Sequence, residues 1–389
     1  MAGLLAPRVK SKIGRTTVLS ILLVFFIYFF LWPSPGEIIT NDEMNQQQQS
    51  KSFSEIPPKS QSPRALPNPV KKVKATFVTL ARNADLWELL SSIQSIEDRF
   101  NSKFGYDWVF LNDEPFTDEF IEETTKSISG TTKYGVIPYD QWSVPLWINS
   151  EKFKEAREYM ASRGVIYGDS ISYRHMCRYE SGFFFRHPLM DEYEYYWRVE
   201  PSVKFYCDIN YDIFKFMKQN DYQYGFTIAM QEYRETIPTL WDKTVEFIDK
   251  YPHFIAEENS MPLISDDNGA SYNLCHFWSN FEIGKLDFLR SKAYLSYFEY
   301  LDKAGGFFYE RWGDAPVHSI AASLFLDKEQ IHYFDDVGYY HGPFTSCPRD
   351  EKVRKEGRCS CNPKEDFSFQ IGSCMNKYYK FRGIKKPSY

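Results

Sequence analysis

Tyr193-Glu-Tyr-Tyr-Trp-Arg-Val-Glu200-Pro-Ser-Val-Lys-Phe-Tyr-Cys-Asp208 is the stretch on which the fold turns. Tyr195, Tyr196, Trp197 and Val199 read as a buried strand that stops at a carboxylate, Glu200. Pro201 has no N–H to offer a neighbouring strand, so pairing ends there. Open α/β sheets bind their ligands beyond the carboxyl ends of their strands. An acid at that place suits a divalent cation that grips a diphosphate, which points to a nucleotide-sugar transferase. A plain ion pair of Glu200 with Arg198 or Lys204 is the competing reading.

The strands upstream agree. Ala75–Leu80 reads as a buried strand. Asp85, with Glu88 three residues on, reads as a capping box opening a helix whose apolar face is Leu86, Leu89, Leu90, Ile93, Ile96 and Phe100. Tyr106–Leu111 reads as a second strand. Strand, helix, strand in this order is a βαβ unit and predicts a parallel sheet with right-handed crossovers. Glu151–Arg163, Asp242–Lys250 and part of Tyr167–Phe185 read as further helices, and Tyr224–Met230 as another strand.

The 389 residues divide into four regions: a tail at 1–16, an apolar run at 17–32, a Pro-, Ser- and Gln-rich stem at 33–72, and a dense domain at 73–389. Arg8, Lys10, Lys12 and Arg15 precede the apolar run. About 16 helical residues span roughly 24 Å, short for a ~30 Å bilayer core but suited to a thin membrane of the early secretory route. Phe29-Phe30-Leu31-Trp32 offers no small-x-small cleavage site, so the run reads as a signal anchor with the bulk of the chain lumenal. Seven cysteines fit that compartment. Cys359-Ser-Cys361 lacks zinc-knuckle spacing, so disulfides are expected, with at least one thiol left over and the connectivity open. The net charge of −6 and the absence of a basic stripe argue against nucleic acid. Aromatic residues form 18% of the chain, enough for both a core and aromatic-walled clefts on which sugars stack. P-loop, GxGxxG, HExxH and GxSxG motifs are absent.

Several groups are candidates for the chemistry. Glu200 with an imidazole would suit Mn2+. His341, placed in a loop before Gly342-Pro343, is one such imidazole, and His318 is a rival that reads better as a core residue. Glu282 sits among Trp278, Phe281 and Ile283, where a carboxylate must be paired or used. Arg82 follows the first strand. Tyr173, Arg174 and Arg178 form a polar cluster, and Arg suits phosphate oxygens. Gly305–Asp314 is either an acceptor-sugar platform or a tight packing turn.

Taken together, residues 196–201 (Tyr-Trp-Arg-Val-Glu-Pro), 172–178 (Ser-Tyr-Arg-His-Met-Cys-Arg), 272–283 and 305–319 closely resemble the fungal Golgi α-1,2-mannosyltransferases of glycosyltransferase family 15. The resemblance runs from about Val73 to the C-terminus. It implies a GT-A-like α/β fold with a mixed, mainly parallel central sheet flanked by helices. It implies GDP-mannose as donor, Mn2+ as cofactor, a mannose-terminated glycan acceptor on O- or N-linked glycoproteins, retention at the anomeric carbon, and a single-pass type II Golgi membrane protein. By matching motifs, Glu200 and His341 would hold the metal, Glu282 would be the nucleophile or a charge stabiliser, and Tyr173 would lie close to the reacting centre. Arg82, Arg174 and Glu232 would line the donor cleft. Some members carry an acid two places after the Glu, where this chain has Ser202. The alternatives are a catalytically silent mannan-binding protein of the Golgi and, less consistent with the motifs, a two-carboxylate glycoside hydrolase.

Overall fold

The computed structural model describes residues 72–387. The anchor at 17–32, and the stem except its last residue, lie outside the described residues. Among the described residues no helix is long and apolar enough to cross a membrane.

A seven-stranded sheet carries the domain: β1 (Ala75–Leu80), β2 (Asp107–Asn112), β3 (Thr132–Val136), β4 (Tyr195–Arg198), β6 (Tyr224–Phe226), β9 (Glu282–Lys285) and β10 (Ile331–Tyr333). Their spatial order is β10-β6-β9-β4-β1-β2-β3. β1 pairs in parallel with both β2 and β4, β2 with β3, and β6 with β10. β9 runs against both its neighbours. The sheet is therefore mixed and mainly parallel, as expected. A second sheet joins β5 (Lys204–Phe205), β11 (Tyr339–His341) and β12 (Phe344–Ser346), and a third pairs β7 (Ala229–Gln231) with β8 (Cys275–Phe277).

Both faces of the main sheet are covered, which is why its strands read as near-continuous apolar runs. On one face Phe77 stacks on Trp108 at 4.7 Å and meets Trp197 at 5.2 Å, linking the three central parallel strands. Each such buried side chain contributes about 1.5–3 kcal/mol. The neighbouring residues Val78, Val109 and Tyr196 turn into the core on the other face. There β9 places Gly284 opposite both Tyr196 and Tyr224. A Cβ on Gly284 would stand 2.5 Å from the Tyr196 ring. Glycine thus lets the Tyr196 ring lie across β9, and its hydroxyl and that of Tyr224 converge on Glu282.

The helices that matter for the site are α1 (Leu86–Ile96), α2 (Ser150–Ser162), α3 (Ile171–Gly182), α4 (Leu240–Lys250), α5 (Lys292–Ala304) and α6 (Asp314–Phe325). The expected capping box at α1 does not form. Asp85 makes no side-chain cap bond, and its carboxylate instead accepts from the Arg82 backbone N–H and guanidinium. The expected strand at 224–230 is two strands, β6 and β7. The Gly305–Asp314 run is a packing turn: Phe307, Phe308 and Trp312 are buried, and a Cβ on Gly306 would overlap Trp312 at 2.0 Å.

Two disulfides, Cys207–Cys359 and Cys275–Cys374, fasten the C-terminal segment to the domain, and a third, Cys347–Cys361, closes a loop within that segment. Cys177 is the remaining thiol and is buried.

Candidate functional site

Three strands of the main sheet end at one cavity of about 500 Å³. β1 contributes Leu80, Ala81 and Arg82, β2 contributes Asn112 and Asp113, and the exit of β4 contributes Arg198, Glu200 and Pro201. β1 lies between β2, the next strand in the chain, and β4, so the sequence order reverses beside it. Such a switch point opens a crevice at the carboxyl ends of the strands. Helix α3 closes the opposite wall with Tyr173, Met176 and Glu180. Ser170 caps α3 by accepting from the Tyr173 N–H, which fixes where Tyr173 enters the wall.

Glu200 and His341 meet here, as the sequence suggested. His341 Nε2 lies 3.5 Å from Glu200 Oε2, and both side chains are about a quarter exposed. His341 is the last residue of β11 and so sits on a strand, not in the expected loop. Its ring packs edge-on against Trp278 at 5.0 Å, and its Nδ1 is buried without a hydrogen-bond partner. Burial opposes the charge of Glu200, but Arg198 and His341 outweigh it and hold the carboxyl below its usual range. The ion pair with Arg198 read from the sequence is also present.

Among the described residues no group of three or more His, Cys, Asp or Glu side chains forms a metal cage. An ionised carboxylate facing the Nε2 of an imidazole nevertheless fits a cation that takes its other ligands from phosphate oxygens and water. Ser202 is not part of that pair. It has a positive φ of 63° and donates to Glu88 at 2.9 Å.

Arg198 is the hub of the cavity floor. Its Nη1 lies 2.6 Å from Asp314 Oδ2 and 3.9 Å from Glu180 Oε2, while Nη2 bonds Glu200. Asp314, the first residue of α6, also accepts from Ser279 at 2.6 Å. Tyr173 stacks on Tyr167 at 4.6 Å, with the Arg311 guanidinium 4.9 Å from its ring centre. Burial raises the Tyr173 pKa well above the usual value, so its hydroxyl keeps its proton.

The other candidates separate. Arg82 lines the cavity with its side chain largely exposed and paired to Asp85. Glu232 lies past the exit of β7, outside the cavity lining, and its carboxylate accepts from the Tyr233 N–H. Its charge still reaches Tyr173. Arg174 is not among the residues that line this cavity. It is fully buried and donates to the backbone oxygens of Ser170 and Glu310, and burial lowers its pKa to about 10. Helical phase explains the difference: Tyr173, Met176 and Glu180 share one face of α3, and Arg174 is turned into the core. Arg178 is likewise spent on a buried pair with Asp302.

Glu282 lies apart from the cavity lining. Its carboxylate is wholly buried. Oε1 accepts from Tyr196 at 2.9 Å, and Oε2 from Tyr224 at 2.8 Å and from His318 Nδ1 at 2.9 Å. Burial disfavours the charge on His318, but Glu282 overrides it and raises the imidazole pKa. Both carboxylate oxygens are thus engaged, and Glu282 is not among the residues that line the cavity. His318, read from the sequence as a core residue, is one. Sequence reasoning missed Glu180, Asp314 and Arg198 as a cluster. The one available signal was the spacing of Glu180 from Tyr173, which puts both on one helix face.

The sequence profile of the glycolipid 2-alpha-mannosyltransferase family matches residues 36–383. The chain is 53% identical to alpha-1,2 mannosyltransferase KTR1 of Saccharomyces cerevisiae, over 100% of this chain and 98% of that protein. It is 62% identical to glycolipid 2-alpha-mannosyltransferase 1 of Candida albicans, over 81% of this chain and 73% of that one. Among solved structures, it is similar to core-mannan synthase A of Aspergillus fumigatus in its Mn/GDP form. That match has a TM-score of 0.77 and 41% identity, covering 82% of this chain and 88% of the other. Mannosyltransferase Ktr4p of S. cerevisiae in complex with GDP matches with a TM-score of 0.76 and 40% identity, over 80% and 82% of the two chains.

Proposed function

Because the chain belongs to the glycolipid 2-alpha-mannosyltransferase family, we propose that it is a GDP-mannose-dependent α-1,2-mannosyltransferase that extends mannose-terminated glycans on glycoproteins with retention of the anomeric configuration. The observation that carries this reading is the meeting of Glu200 and His341 at a cavity whose opposite wall presents Tyr173. Relatives solved with Mn and GDP support a nucleotide diphosphate and a cation here. Nothing in the relatives favours a silent mannan binder.

Glu200 and His341 would hold Mn2+, which when bound supplies positive charge against the charge developing on the leaving diphosphate. Arg82 reaches into the cavity as a phosphate partner, and Arg198 fixes the rotamer of Glu200. The neutral Tyr173 hydroxyl stands on the wall where sugar and acceptor meet, able to donate to one oxygen and accept from another. With Glu282 enclosed, same-face transfer is the mechanism we favour. The bond from the anomeric carbon to the β-phosphate oxygen breaks. The acceptor 2-hydroxyl oxygen bonds to that carbon on the side just vacated, and its proton passes to the departing phosphate. Glu282 then acts as a buried anchor that aligns Tyr196, Tyr224 and His318 beneath the site.

The basic tail before the apolar run at 17–32 and the three disulfides support a Golgi type II orientation with the catalytic domain lumenal. Protease protection of the domain in intact vesicles is the test of that orientation. For the activity, an acceptor panel of O-linked and N-linked mannosides with GDP-mannose and Mn2+, with product linkage assigned by NMR, is decisive. An α-1,2 product is expected; hydrolysis of mannosides without nucleotide, or glycan binding without transfer, would overturn the assignment.

A further inference from the structure

We propose that Glu180 is a recognition residue for the donor sugar, its carboxyl binding a hydroxyl of the hexose carried by the nucleotide. The proposal rests on the transferase reading above and adds a role for a residue that reading does not use.

Glu180 lies on the face of α3 that also carries Tyr173 and Met176, and all three border the cavity. It is only 3% exposed. A buried carboxyl normally collects several hydrogen bonds. Among the described residues Glu180 has one ionic neighbour, Arg198, at 3.9 Å, which is longer than a hydrogen bond. That guanidinium is already committed to Asp314 and Glu200. Glu180 thus borders the cavity with its hydrogen-bonding capacity largely unspent, at the one point where substrate can supply the partner.

The chemistry of the cavity selects that partner. Phosphate oxygens carry no proton and repel a carboxylate. A sugar hydroxyl both donates and accepts, so it satisfies the group in either protonation state. Burial pushes the Glu180 carboxyl up to about 7 against the pull of Arg198, with the charges of Asp314, Glu282 and Glu200 acting in the same direction as burial. Position agrees with chemistry. Glu180 is joined through Arg198 to Glu200, where the diphosphate is held, and shares its helix face with Tyr173, where transfer occurs. The part of the donor between those two points is the hexose. A role as a third counter-ion for Arg198 is the structural alternative.

The test compares the full-chain enzyme with E180A and E180M, using GDP-mannose and its 2-, 3-, 4- and 6-deoxy analogues as donors. Hydrogen bonds to a charged partner are worth about 1.5–3 kcal/mol, roughly 10- to 150-fold. The wild type should therefore lose about that factor in kcat/KM with one deoxy donor. E180A should treat that donor and GDP-mannose within about 3-fold of each other and inhibit with GDP as the wild type does. E180M keeps the volume of the side chain without a strong hydrogen-bonding group and supplies the readout should E180A not fold; it too should lose most of the discrimination. Unchanged discrimination in E180A or E180M, or GDP affinity falling in step with donor affinity, would assign Glu180 to supporting Arg198 and overturn the proposal. Failure of the wild type itself to transfer mannose would instead overturn the transferase reading, and this proposal with it.

Discussion

His341 Nε2 stands 3.5 Å from Glu200 Oε2, joining the end of β11 to the exit of β4. The two elements belong to different sheets, and the contact forms because β11 pairs with β5, the strand that follows Glu200 in the chain. If the pair holds the cation, His341→Ala should raise the Mn2+ concentration needed for half-maximal activity. Outer-shell partners of metal ligands are worth roughly 10- to 100-fold in metal affinity, so a direct ligand should cost at least as much. Glu200→Ala should do the same and, by freeing Arg198, weaken the floor as well. Metal titrations of activity at fixed GDP-mannose check this; an unchanged Mn2+ profile in both variants would remove the metal role.

Tyr173→Phe separates the hydroxyl from the ring. The stack on Tyr167 and the contact with Arg311 use the ring and should survive. Only the protonated hydroxyl is lost. Removing one well-placed hydrogen-bonding group at a reacting centre typically costs about 10²- to 10³-fold in kcat. The expected result is a fall in kcat of that order with little change in donor KM. A change confined to KM would make Tyr173 a binding wall only.

Arg174 and Arg82 looked alike as phosphate partners, and the structure predicts opposite behaviour. Arg174→Met strands the carbonyl oxygens of Ser170 and Glu310. At about 1–3 kcal/mol for each unsatisfied buried group, unfolding in urea should shift clearly while GDP affinity in the folded enzyme stays near normal. Arg82→Met should leave stability almost unchanged, because its pair with Asp85 is exposed. It should weaken GDP binding, measurable by isothermal titration.

The contrast shows what the sequence could carry. Strand-ending signals put Glu200 and Arg82 at the strand ends that line the cavity, because a run of apolar residues followed by Pro201, or by the start of a helix, is a local pattern. The buried aromatics of β1, β2 and β4 announced a sheet covered on both faces. Helical phase was also legible in principle, yet Arg174 was grouped with Tyr173 by adjacency, and adjacent helix positions point about 100° apart. Glu282 and His341 depended on long-range pairing. The enclosure of Glu282 needs Gly284 flanked by Tyr196 and Tyr224 from two other strands, and no short window of sequence contains that register.

Glu282 distinguishes an anchor from a nucleophile. Glu282→Ala leaves two tyrosine hydroxyls and His318 facing an empty site. Breaking a buried charged pair from one side costs roughly 3–5 kcal/mol, so the variant should unfold at markedly lower urea. Glu282→Gln retains an acceptor and should lose less stability, with activity falling in proportion to the disturbed floor. A Glu282→Gln enzyme as stable as the wild type but inactive, with a mannosyl adduct trapped on Glu282 in the wild type, would restore the nucleophile.

The same pair gives the protein a pH signature. His318 faces Glu282, Asp314 and Arg198, and its pKa is raised despite burial because the carboxylates outweigh both desolvation and the guanidinium. A histidine that binds its proton more tightly when folded contributes stability that is fully present below its unfolded pKa of ~6.5. That contribution is lost as pH rises through the elevated folded value. The wild type should therefore lose stability as pH rises from about 6.5 through the elevated folded value of His318. His318→Gln, which cannot take up the proton, should be less stable at the acidic end and show a flatter profile. Thermal melts of both proteins across this range isolate the effect, since all other titrating groups are common to the two. Parallel profiles would mean that the His318–Glu282 contact is held by a neutral imidazole.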